Sequence, residues 1–137
     1  MSLESTRQVL DKYFASEHSD VSMMADDVVF TVMATGQESH GPQEVLGMLN
    51  YFYHQAFDAT AITKNVVVGD GKGVVEGDFV GKHIGEFAGI PATGKQVNVP
   101  ICVSYDLEND KIVRARVYFE MPALFAQLGV AAGAATA

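Results

Sequence analysis

NDKIVRARVYFEMPALFAQLG, residues 109–129, reads as a turn, a strand of alternating character and a short apolar helix. Successive strand side chains point to opposite faces. Arg114, Arg116, Tyr118 and Glu120 therefore share one face, and Val113, Ala115, Val117 and Phe119 the other. A second face this apolar predicts a strand covered on both sides, whose polar face looks into an enclosed space. Glu120, at the junction of strand and helix, is then a carboxylate at the rim of that space and a candidate proton carrier.

Working outward, Leu3 to Ala15 has helical spacing, with Val9, Leu10, Tyr13 and Phe14 as its apolar stripe. Ser19 or Asp20 caps a second short helix predicted to end near Met24. Val28 to Ala34 is a β-branched run and reads as a strand. Gly41-Pro42 opens a long helix whose Val45, Leu49, Phe52, Tyr53 and Ala56 repeat at helical spacing. Four strands follow. They run over Ile62–Val68, Gly73–Phe87 (with glycines at 77, 81 and 85 that favour bulges or bending), Lys95–Leu107 and the opening stretch. Helices gathered against one face of a curved antiparallel sheet make an α+β cone with room for a pocket.

At 137 residues, 48% apolar and 19% charged, the chain is predicted to be a single domain over 1–130 with a low-complexity, mobile tail at 131–137. Its net charge of −8 repels phosphate backbones, so nucleic acid is not an expected partner. No apolar run approaches the roughly 18 residues of a membrane span. A single cysteine and the absence of an apolar leader at the N-terminus point to a cytoplasmic protein. His18, His40, His54 and His83 lack ligand spacing, and no metal is expected.

The segments GKHIGEFAGIPATGKQVNVP (81–100) and KIVRARVYFEMPALFAQLG (111–129) resemble the SnoaL-like polyketide cyclases, within the nuclear transport factor 2-like fold group. The family pattern runs approximately Gly-Thr-His-x-Gly-Glu-Phe-x-Gly-Ile-Pro-x-Thr-Gly-Lys. Gly81, His83, Gly85, Glu86, Phe87, Gly89, Ile90, Pro91, Thr93, Gly94 and Lys95 match it in order, with Lys82 in place of Thr. Gln127-Leu128-Gly129 matches the family's ending, and Asp27-Val28-Val29-Phe30 and Gly41-Pro42 also sit where the family has them. The resemblance implies a cone-shaped, cystatin-like α+β barrel and a homodimer. It also implies cofactor-free acid/base chemistry, an intramolecular aldol step or a proton transfer, on a small hydrophobic carbonyl compound. Glu120 stands where the cyclases carry an acid/base Asp, and Arg116 where an aromatic residue is usual. Val117 argues against the Asp-Arg-Asp set of the epoxide hydrolase branch.

Each candidate has two readings. Glu120 is a base with a pKa raised by an apolar pocket, or the partner of Arg116 in an ion pair. His83 polarises a substrate carbonyl or relays a proton, or it is held for loop geometry. Tyr118 hydrogen-bonds an enolate oxygen or forms wall. Arg116 binds an anionic group or neutralises a neighbouring carboxylate. Tyr53 and Phe57 line the pocket or the core, and Tyr13 and Phe14 close its mouth. The alternative to an enzyme is a non-catalytic ligand-binding or dimerisation module of the same fold, with the 81–100 motif serving packing.

Overall fold

Helix α1 (Leu3–Ala15) starts at a capping box: the Ser2 hydroxyl accepts from the Ser5 backbone N–H, and the Ser5 hydroxyl accepts from that of Ser2. Its apolar stripe buries Leu10 and Tyr13. In the computed structural model, residues 1–17 and 19–130 are described; His18 and the tail at 131–137 lie outside the described residues. A 3₁₀ turn (Val21–Met23) stands where a second helix is predicted, because the chain enters a strand immediately after it. The remaining order is β1 (Met24–Val32), β2 (Gln37–His40), α2 (Gly41–Asn50), a π-helical turn (Tyr51–Ala56), β3 (Phe57–Gly69), β4 (Lys72–His83), β5 (Gln96–Glu108), β6 (Lys111–Phe119) and α3 (Met121–Gln127).

The six strands form one sheet in the order β2-β1-β6-β5-β4-β3. All neighbours are antiparallel except β1 and β6, which run parallel. This is the α+β architecture expected, a curved sheet packed against the N-terminal helices. Strand β2 carries little apolar signal (Gln37-Glu38-Ser39-His40), so nothing in its composition marks it as a strand.

The sheet curls because of what lines the inner face of β4. Gly73, Val75, Gly77, Phe79, Gly81 and His83 alternate there, a glycine between each pair of larger residues. A Cβ at Gly77 would run into the Ile62 carbonyl oxygen of β3, and one at Gly81 into the Asp58 carbonyl and Ala59. The edge strand therefore lies over β4 closely enough that only glycine fits. The register against β3 steps at one of these glycines, between Thr63, opposite Gly77, and Asn65, opposite Glu76; further steps fall between Asp106 and Leu107 of β5 and between Met24 and Val29 of β1.

Two apolar clusters fill the concave side. One joins α1, α2, β1, the far half of β5 and the start of β6 around Leu10, Phe30, Tyr105 and Ile112. The other joins β3, β4, the near half of β5, the end of β6 and α3 around Phe57, Phe79, Phe119 and Leu124. Tyr53 and Ile101 pack against both. Helix α3 is fastened by Gln127, whose amide accepts from the Asn98 N–H at 2.8 Å and donates to the Asn98 carbonyl at 2.9 Å. That side chain takes up the two backbone groups of β5 that β6, ending at Phe119, does not reach.

Gly81→Ala is expected to lower stability by about 1–3 kcal/mol, as overpacking does. Urea unfolding followed by circular dichroism measures it, and an unchanged midpoint would mean that β3 can shift away from β4.

Candidate functional site

The final strand shows the predicted alternation with its faces exchanged. Ala115 and Phe119 are buried against the concave interior, while Tyr118 is 46% exposed and Glu120 is exposed. The polar face of Arg114, Arg116, Tyr118 and Glu120 is the outer face of the sheet, and no element among the described residues covers it. The expectation that this face looks into an enclosed space is therefore corrected. The reason is ordinary burial: helices cover only one side of the sheet, and the apolar face turns to them. The irregularity opposite Asp106 also sets Ile112, not Val113, fully inside.

The expected Glu120–Arg116 pair is replaced by a different one. The Arg116 guanidinium donates to Asp106 at 3.2 Å, and Lys72 binds the other oxygen of the same carboxylate at 2.8 Å. Burial pushes the Asp106 carboxyl up, but Lys72 and Arg116 outweigh it and hold the group below its usual range. Glu120 stands just ahead of α3, and its backbone N–H points at the Pro100 carbonyl at 3.4 Å.

His83 is fully buried at the end of β4, its ring 5.1 Å from that of Phe57. The Thr93 N–H donates to its Nδ1 at 3.1 Å, so that nitrogen carries the lone pair and the neutral ring bears its proton on Nε2. Nε2 is buried without a hydrogen-bond partner among the described residues. Backbone bonds from the His83 N–H to Lys95 and from the Gly94 N–H to the His83 carbonyl complete a clasp on the loop 84–95. Phe57 is core beside it, stacked edge-on against Phe79. His83 and Phe57 line none of the cavities described below.

Those cavities lie on the concave side. A chamber of about 40 Å³ sits between the two cores, walled by Tyr13 from α1, Phe30 from β1, Tyr53 from the π-helical turn and Tyr105 from β5, together with Phe79 and Phe119. No carboxylate lines it. Its polar groups are the hydroxyls of Tyr13, Tyr53 and Tyr105, and the Tyr13 and Tyr105 rings meet edge to face at 6.0 Å. Burial pushes the Tyr53 phenol up to about 12 and raises Tyr13 and Tyr105 as well. Neighbouring tyrosines add to the rise for Tyr13 and Tyr105. At neutral pH all three phenols keep their protons.

Two larger depressions adjoin the chamber. One, about 340 Å³, shares Tyr53, Ile101, Val103 and Tyr105 with it and is rimmed by Phe14, Glu17, His54, Asp58 and Thr60. The other, a groove of about 960 Å³, shares Val32, Met48 and Phe52 and runs past Phe87, Met121 and Phe125. Of the residues singled out from sequence, the structure brings Tyr13 and Tyr53 together in the chamber and sets Phe14 at its neighbour. It leaves Glu120, Tyr118, Arg116, His83 and Phe57 away from it. Sequence reasoning set His54 outward on the long helix and Tyr105 on one face of its strand, and missed that they border these spaces. The parity of Tyr105 with Val99 and Val103 is the signal that ties it to an apolar face.

Because the three phenols titrate far above an unfolded tyrosine near 10, the folded state holds protons that the unfolded chain releases. Their contribution is complete below about pH 10 and falls as pH rises from there toward 12. Alkaline unfolding is expected in that window. Tyrosinate absorbance from Tyr13, Tyr53 and Tyr105 should appear together with loss of the circular dichroism signal, and a rise of these three ahead of unfolding would contradict their burial.

A family model described as SnoaL-like polyketide cyclase matches residues 10–128. No protein in the curated set matches the sequence. Among solved structures, a protein described as a SnoaL-like polyketide cyclase from Jannaschia sp. CCS1 superposes with a TM-score of 0.82 at 18% identity, covering 91% of this chain and 92% of that one. TsrD from Streptomyces laurentii superposes with a TM-score of 0.77 at 19% identity, over 94% and 98% of the two chains. A protein from Shewanella putrefaciens CN-32, also described as a SnoaL-like polyketide cyclase, gives 0.75 at 17% identity, over 90% and 96%. At these identities the likeness is one of fold.

Proposed function

Since the chain belongs to the SnoaL-like polyketide cyclase family, we propose that it is an enzyme acting by proton transfer on a small, mostly apolar molecule. A carbonyl oxygen of that molecule binds among Tyr13, Tyr53 and Tyr105. The observation that carries the reading is the convergence of three neutral phenols in a chamber otherwise lined by apolar side chains. An enolate oxygen developing there receives hydrogen bonds from donors already desolvated and in place, which is where such bonds are strongest. Removing a proton from the carbon beside the carbonyl then needs only a base within reach.

The geometry favours a base from the depression behind Tyr53 and Tyr105, where His54 stands on the wall. Tyr53 and Tyr105 line both spaces, so a carbonyl held by them presents its flanking carbon toward that side. The chemistry asks for no redox group or metal. Glu120, the counterpart of the cyclases' acid/base Asp, lies in water on the outer face, and we give it no part in the step. A non-catalytic ligand-binding module would use the same phenols without the base.

Butanone serves as a probe. Tyr105→Phe and Tyr53→Phe are each expected to weaken its binding by about five- to tenfold, the worth of one hydrogen bond at about 1 kcal/mol. Nuclear magnetic resonance titration reads this. Protein-catalysed deuterium exchange at the carbons flanking the carbonyl is expected to slow by about a hundredfold or more in His54→Gln, with Glu120→Gln close to the parent. Affinity indifferent to both tyrosine changes would sink the reading, and exchange no faster than in buffer would leave a binding module.

The outer face supports a second proposal, a homodimer. Ile62, Val67, Val74 and Tyr118 stand on it at 51%, 60%, 36% and 46% exposure. Val67 pairs with Val74 across β3 and β4. An apolar patch on an uncovered sheet face invites a second copy. Sedimentation equilibrium should give a dimer for the parent and a monomer for Val67→Lys, whereas a monomeric parent would rule the dimer out.

A further inference from the structure

Resting on that reading, we infer that the ligand is elongated and uncharged, with its carbonyl end among the tyrosines and an unbranched apolar body lying in the groove beside Met121. The argument begins with space. A cavity needs about 10–15 Å³ to hold one water molecule, so a chamber of about 40 Å³ admits a head group and little more. The rest of the ligand has to lie outside, in one of the two adjoining depressions.

Their chemistry decides between them. The depression beyond Tyr53 is rimmed by Glu17, His54, Asp58 and Thr60, groups that lose hydration if a hydrocarbon covers them. The groove has polar members too, among them Glu38 and Glu44, but it sets Phe52, Phe87, Met121, Pro122 and Phe125 beside them, large apolar surfaces that gain from being covered. At about 960 Å³ it is also the larger of the two. The body therefore belongs in the groove, which leaves the depression to water and to the base.

The partition between chamber and groove is movable. Val32, Met48 and Phe52 line both spaces. Met48 and Phe52 are only half-buried, and an unbranched thioether side chain re-packs readily. Among the described residues no cationic side chain lines the chamber, so a carboxylate head group there loses its hydration with no opposite charge beside it. A fatty carboxylate is thereby disfavoured against a neutral ketone or aldehyde of the same length.

The test is a series of unbranched 2-alkanones, from butanone to dodecanone, titrated against the whole protein. Affinity is expected to rise by about three- to fourfold for each methylene buried, to level off once the groove is filled, and to exceed that of the equally long fatty acid. Ala34→Glu and Met121→Lys, both on the groove wall, should flatten this rise, while Thr63→Lys, on the wall of the depression opposite Gly77, should not. Circular dichroism of the variants establishes that they fold. A flat series in the parent protein overturns the inference, as does a rise flattened by Thr63→Lys alone, which would put the body in the depression. Either result leaves the tyrosine reading standing if Tyr105→Phe still weakens butanone. Butanone binding indifferent to Tyr105→Phe overturns that reading, and the inference with it.

Discussion

The close approach of β3 to β4 is the constraint on which the rest of the molecule depends. Side chains on the inner face of β4 alternate between glycine and something larger, so the edge strand can fold over it while Phe79 and His83 still fill the interior. A flatter sheet would leave Phe57 and Ala59 too far from α3 and the 84–95 loop to form the second core. It would also open the chamber, whose walls come from α1, α2, β1, β4, β5 and β6 at once. Curvature is therefore what turns one sheet and a few helices into an enclosure.

The second consequence is a division of electrostatic labour. Ion pairs lie on the outside, where Lys72, Asp106 and Arg116 bridge three neighbouring strands and Lys64 meets Asp78 at 2.8 Å. Such exposed pairs contribute little each, and their effect is to keep an uncovered sheet face hydrated. The interior holds neutral polar groups instead: three phenols and the His83 imidazole. A neutral donor in an apolar chamber avoids the desolvation that a buried carboxylate would suffer, yet is ready to meet a charge that develops on a bound molecule.

Much of this was legible in the sequence because periodicity reports burial. The span of α1, the start of α2 at Gly41-Pro42, the strand order after Phe57 and the family all follow from spacing and motif. The site was less legible because alternation separates two faces without saying which is inside. Assuming that both faces of β6 were covered sent the reading to Glu120, Tyr118 and Arg116. The same parity rule sets Tyr105 with Val97, Val99, Ile101 and Val103 on one face of β5, but only the structure shows that face to be the inner one. The sequence also could not distinguish a histidine that acts on a ligand from one that holds a loop. The bond from the Thr93 N–H to His83 Nδ1 joins residues ten apart, across a turn whose shape is set by Gly89, Pro91 and Gly94.

The π-helical turn at Tyr51–Ala56 joins these themes. Had α2 continued as a regular helix, consecutive residues would have fanned apart at about 100° each. The wider turn instead distributes four neighbours over distinct tasks. Tyr51 donates to the Glu86 carbonyl at 2.6 Å and ties the motif loop to the helix. Phe52 stands between chamber and groove, Tyr53 between chamber and depression, and His54 on the depression's rim. π-Helical turns of this kind are frequent at functional sites. One short segment therefore borders every space on the concave side. It is also the segment through which a ligand's arrival in the groove can be felt at the phenols.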